Sequence, residues 1–135
     1  MSVRVKGEHK VIAELERRLG KKNMQRVSDD ALKAGAEVFV KELRKQVRTF
    51  SDGTRYSKGY TYDEITVSEP MTIGGVRQIK VYWKGPHNRY RIIHLNEWGT
   101  VKNPNPRGKG KIALAMRNAS DTYREAIREA VRRGV

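Results

Sequence analysis

A pair of glycines, Gly74-Gly75, divides two stretches in which apolar residues recur at every second position, Ile65 and Val67 before it and Ile79, Val81 and Trp83 after it. A period of two is that of a strand with one buried face, and a two-glycine break between such strands predicts an antiparallel hairpin. Pro70 has no amide to give to a ladder, so the first arm must lie at a sheet edge or break there. Lys80, Tyr82 and Lys84 interleave with the apolar set of the second arm, giving it one apolar and one basic face.

On either side of the hairpin the apolar period changes to three and four. Ser2 to Lys6 reads as a short strand ended by Gly7, and Val11, Ile12, Leu15 and Leu19 then predict a helix from Glu8 to Leu19, capped by Gly20. Ser28-Asp29-Asp30 offers a capping hydroxyl and two carboxylates for a helix start. Behind it Ala31, Leu32, Gly35, Val38, Phe39, Leu43 and Val47 form one stripe lasting to about Arg48. Within that helix Ala34-Gly35-Ala36 leaves a shallow patch, suited to close packing inside the domain or, less often, to a subunit contact. A last stripe, Ile112, Ala115, Met116, Ala119, Tyr123, Ala126, Ile127, Ala130 and Val131, predicts a helix of about twenty residues, with Glu125–Arg128 and Glu129–Arg133 pairs on its exposed side.

These elements define a single α+β domain over residues 1–135. A small, hairpin-based antiparallel sheet is packed on one side by a long central helix, a short N-terminal helix and a long C-terminal helix. Two polar stretches, near 49–60 and 101–110, are expected as flexible loops. In the first, Tyr56, Tyr60 and Tyr62 alternate with Arg55 and Lys58; such a pattern can stack on bases, but alternating tyrosines more often begin a strand.

Charge narrows the partners. The 29 lysines and arginines exceed the 15 acidic residues by 14, and the excess is uneven. From Arg77 to Ser120 ten basic residues accompany one acid, Glu97. Lys80, Lys84, Arg89, Arg91, Lys102, Arg107, Lys109 and Lys111 are therefore candidate contacts for double-stranded DNA or for an acidic protein surface. No helix-turn-helix or zinc-finger pattern is present, so contact with DNA would not be sequence-specific. The chain has no cysteine, no stretch resembling a signal peptide and no apolar run near the roughly 18 residues that cross a bilayer, so no membrane partner is expected and cytoplasmic synthesis is the default.

Glu97 lies in Tyr90 to Thr100, the junction between the hairpin and the C-terminal helix. His94 and Glu97 are three residues apart, the spacing at which a helix sets side chains beside one another. A general acid/base pair or two metal ligands would need that arrangement, but also a second cluster of reactive groups, which the sequence does not offer. The spacing of His9, His87 and His94 matches no zinc signature. His87-Asn88 is similar to the middle of small metal-dependent nuclease motifs, but the surrounding region is poor in the carboxylates such sites use. No catalytic residue, metal or cofactor is expected. Ile92, Ile93, Leu95 and Trp98 form one apolar side, so Trp98 is expected to anchor the junction in the core, and Glu97 to pair with an arginine or lysine, at a subunit boundary if the chain assembles.

The run His94-Leu95-Asn96-Glu97-Trp98-Gly99-Thr100 resembles the small tail-completion or head-tail joining proteins of long-tailed bacteriophages, the minor tail protein Z-like group. Its members carry an apolar-rich run ending in Glu, an aromatic residue, Gly and often Thr, followed by a loop and a long terminal helix. The order of elements is also similar across most of the chain. Ser51-Asp52-Gly53-Thr54 replaces the family's Pro-Thr-Gly element, and Gly110-Lys111-Ile112-Ala113-Leu114-Ala115 stands where the family often has Pro-His-Ile-Arg-Pro-Ala. The resemblance implies a non-enzymatic virion protein, made in the host bacterial cytoplasm. It would form a homo-oligomeric ring, hexameric by that likeness, at the head-proximal end or neck of the tail, touching connector, tail terminator or tail tube proteins. His94, Glu97, Trp98, Gly99 and Thr100 become interface candidates, and DNA passing through the lumen would meet the basic face. A non-sequence-specific DNA-binding module is the alternative function, and a small metal-dependent nuclease a more distant one.

Overall fold

In the computed structural model the predicted second hairpin arm is the spine of the sheet. The structure describes residues 3–6, 13–14, 17, 20–51, 53 and 58–134. Strand β1 (Val3–Lys6) pairs antiparallel with one edge of β4 (Val76–Trp83), Val3 opposite Val81. The other edge of β4 carries two short strands end to end, β2 (Ile65–Val67) against Trp83 to Val81 and β3 (Met71–Ile73) against Gln78 to Val76. Pro70 falls in the gap between them, so the arm both lies at the edge and breaks there. Gly74 and Gly75, both at positive φ, make the two-residue turn that joins Ile73 to Val76.

One face of β4 is apolar, as its alternation requires. Ile79, Val81 and Trp83 are buried beneath helix α1 (Lys21–Arg48), while Lys80 and Tyr82 are half-buried and Lys84 is exposed. Phe39, Val40, Leu43 and Val47 of α1 meet Ile65, Val81, Trp83, Ile93, Ile112 and Ala115 in one core; Leu32, Ala36 and Ile79, with Tyr123, form a second. Fully burying a side chain such as Leu43 is worth about 2 kcal/mol, and truncating it costs more because a cavity remains.

The C-terminal helix α4 (Lys111–Gly134) runs antiparallel to α1, with Asn118 against Glu42, Tyr123 and Ile127 against Gly35, and Gly134 against Val27. A Cβ at Gly35 would stand 2.7 Å from the Tyr123 ring, so the Ala-Gly-Ala patch serves packing within the domain. Elements α1 and α4, the β-sheet and the connecting turns together make the α+β architecture expected from the pattern.

Three local expectations fail. Helix α1 begins at Lys21, after Gly20 at φ 79°, two turns before Ser28-Asp29-Asp30. The added turns bury Val27 against the end of α4, and that packing outweighs the local capping signal. Asp29 is free to pair instead: its carboxylate accepts from Nε and Nη2 of Arg77 at 2.8 and 2.9 Å, tying α1 to β4. The alternating tyrosines begin no strand, because Tyr60–Asp63 is a helical turn, α2. Glu129 pairs with Arg132 at 3.2 Å rather than with Arg133, whereas Glu125–Arg128 forms at 3.7 Å. Of the helix predicted over Glu8 to Leu19, Ala13, Glu14 and Arg17 are helical and the remainder lies outside the described residues, as does Tyr56.

Candidate functional site

Helix α4 starts without an acidic residue in its first turn, and Lys111 adds positive charge to the positive end of the helix dipole. Glu97 supplies what is missing. It is the last residue but one of the short helix α3 (Ile93–Trp98), 3% exposed, and its carboxylate accepts the amides of Ile112 at 2.7 Å and Ala113 at 3.3 Å. Its own carbonyl accepts the Gly110 amide at 2.9 Å. The one acid of the basic segment is therefore a helix cap. No side-chain cation pairs with it among the described residues, which corrects the expected arginine or lysine partner. Amide donors and the dipole compensate a buried carboxylate as a cation would.

Clamping Glu97 inward fixes what α3 presents outward. Ile93 and Glu97, four apart, take the buried side; His94, Leu95 and Trp98 take the solvent side. His94 and Glu97 are thus split between faces and form no acid/base pair. Trp98, expected in the core, is 69% exposed, and Leu95 and Val101 are exposed with it. Core space under α3 is already filled by Ile93 against α1 and the sheet.

Gly99 and Thr100 shape the exit. Gly99 has φ 81° and ψ 175°, and a Cβ there would lie 2.5 Å from the Pro104 carbonyl oxygen, so the position admits glycine alone. The Thr100 amide donates to the Asn103 carbonyl and the Asn103 amide to Thr100 Oγ1, both at 2.9 Å. Lys109 Nζ donates to the Pro104 carbonyl at 2.9 Å and Asn105 Oδ1 at 3.1 Å, and Arg107 Nη2 to the Thr49 carbonyl at 2.8 Å. These bonds link parts of the 101–110 loop to one another and, through Arg107, to the end of α1.

A second buried carboxylate holds the entrance. Glu64, also 3% exposed, accepts the His87 amide at 2.9 Å and the Arg89 amide at 3.1 Å. Gly85 packs against its side chain with no room for a Cβ, and Asn88 turns the chain at φ 51°. The ring of His87 stacks on Tyr60, centroids 3.4 Å apart and planes within 8°. His87-Asn88 is thus a turn seated on α2, and no group of three or more His, Cys, Asp or Glu residues lies together among the described residues.

The eight candidate basic contacts divide. Arg89 Nε donates to Thr61 Oγ1 at 2.9 Å and, like Arg107 and Lys109, holds its own loop. Lys80 and Lys111 are half-buried in the sheet and at the start of α4. Lys84, Arg91 and Lys102 are exposed, Arg91 beside the Tyr90 ring. A row missed by counting charge along the chain lies instead on α1, where Lys41, Arg44, Lys45 and Arg48 fall on one helix face. The signal was their spacing of three, four and seven, hidden by Glu37 and Glu42 on the same helix.

No family model, curated protein or solved structure matches the chain. No helix among the described residues is long and apolar enough to cross a membrane.

Proposed function

We propose that this is a structural protein of a long-tailed phage virion, a tail-completion or head-tail joining subunit that assembles into a ring at the neck, and that it is not an enzyme. The observation that carries this reading is the exposed apolar face of Leu95, Trp98 and Val101 on a segment whose backbone Glu97 locks to α4. Large apolar side chains held rigidly in solvent are the usual core of a protein interface, and an aromatic anchor such as Trp98 carries much of its energy. In this reading Trp98 meets a neighbouring subunit, while Glu97, Gly99 and Thr100 set its angle. The resemblance of His94 to Thr100 to the phage family supports a tail assembly in this reading, with connector, terminator or tube proteins as the proposed neighbours.

Sedimentation velocity over a range of concentrations, with negative-stain imaging of the heaviest species, tests this. Closed rings are expected; a monomer throughout refutes the assembly. The alternative, a DNA-binding module, draws on the net charge and on exposed Lys84, Arg91 and Lys102. It requires binding to random duplex DNA with a steep salt dependence, which a purely protein-contacting ring does not show.

A further inference from the structure

Between α1 and the edge of β2 lies an open groove of about 870 Å³. Its floor is apolar, from Ala36, Val40 and Ile79, and its helical wall carries Lys41, Arg44 and Lys45. Lys41 and Arg44 have no ion-pair partner among the described residues. The opposite wall is the free side of β2. Lys84 N–H donates to the Glu64 carbonyl and Ser68 N–H to the Lys80 carbonyl, so the even positions of this strand bond to β4. Val67, at an odd position, therefore turns its N–H and C=O away from β4, and its side chain is 41% exposed.

We propose that this groove binds an extended acidic peptide segment of a partner protein, which adds to β2 as a further strand. Main-chain bonds to Val67 give such a segment its register, and carboxylates on alternate residues reach the cations of α1. The wall and floor favour this occupant over the others. A nucleic-acid backbone would meet the cations but would leave the strand edge unpaired and cover an apolar floor with phosphate. A second copy of the chain brings a net charge of +14 towards a basic wall. The proposal stands apart from the ring reading, since it uses none of the residues around Trp98.

The test uses the full chain and a fluorescein-labelled peptide of alternating Glu and Val, followed by anisotropy. Three changes probe the two kinds of contact: the same peptide N-methylated at alternate amides, a Val67→Pro variant, and a Lys41→Glu, Arg44→Glu double variant. Val67→Pro removes an N–H that gives nothing to β4, but it also fixes φ and replaces a side chain of the groove, so thermal unfolding checks that each variant is folded. Each change is expected to weaken binding by about tenfold or more. N-methylation alters the peptide alone, so its result stands even if a variant fails to fold. Absence of peptide binding overturns the proposal, as does binding indifferent to N-methylation. Displacement of the peptide by duplex DNA, lost with the lysine and arginine changes but not with Val67→Pro, overturns it in favour of a nucleic-acid surface.

Discussion

A carboxylate that caps a helix from fifteen residues upstream does two jobs that one substitution can separate. Glu97→Ala removes the acceptor of two amides at the start of α4, and about 3 kcal/mol of stability is expected to go with it. Glu97→Gln keeps one acceptor oxygen but loses the charge at the helix dipole, and about half that loss is expected. Thermal or urea unfolding gives the order wild type, Gln, Ala. An Ala variant as stable as wild type would remove the cap from the account. Next to it, Gly99→Ala must hold a side chain at φ 81° and against the Pro104 carbonyl, and is expected to cost about 1–3 kcal/mol by the same measurement. The sequence marked Glu97 by its isolation among bases and Gly99 by its place after Trp98. The partner amides were hidden, since a backbone donor has no signature in residue type. For the same reason Glu64 went unremarked, although it clamps His87 and Arg89 in the same way.

At the scale of elements, period and turn chemistry revealed the hairpin, the stripe of α1 and the whole of α4, because each depends on local spacing. Boundaries and exposures were less legible where a distant element decides them. The start of α1 is set by Val27 beneath Gly134, and the outward turn of Trp98 by Ile93 having filled the core beside α1. The pairing of α1 with α4 has its own polar link. Glu42 accepts from Gln46 at 2.9 Å and from Asn118 at 3.1 Å, and these bonds, with nearby Lys45, hold its carboxyl below the ordinary glutamate value. A depressed folded-state value means that this contribution is present above the unfolded pKa and is lost as pH falls through the folded one. The stability difference between wild type and Glu42→Gln is therefore expected to be largest near neutral pH. It should shrink below the ordinary glutamate range, about pH 4.3, in denaturant melts across acid pH. A difference constant with pH would assign Glu42 no electrostatic part in the α1–α4 contact.

For the whole molecule, the arrangement separates stabilising and exposed roles along one short segment. Glu64 and Glu97 pin both ends of the stretch from Gly85 to Lys111 to the body, and His94, Leu95 and Trp98 stand outward between them. The charge excess is likewise divided, since Arg89, Arg107 and Lys109 hold loops while the α1 row lines an open groove. A molecule built this way should lose assembly without losing its fold when the outward face alone is changed. The direct measurement is the solution mass of wild type and Trp98→Ala by light scattering, with unfolding temperatures taken on the same samples. The account predicts a multimer for wild type, and for Trp98→Ala a shift to monomer with the unfolding temperature of the isolated subunit preserved. A Trp98→Ala protein that assembles as wild type does would contradict it.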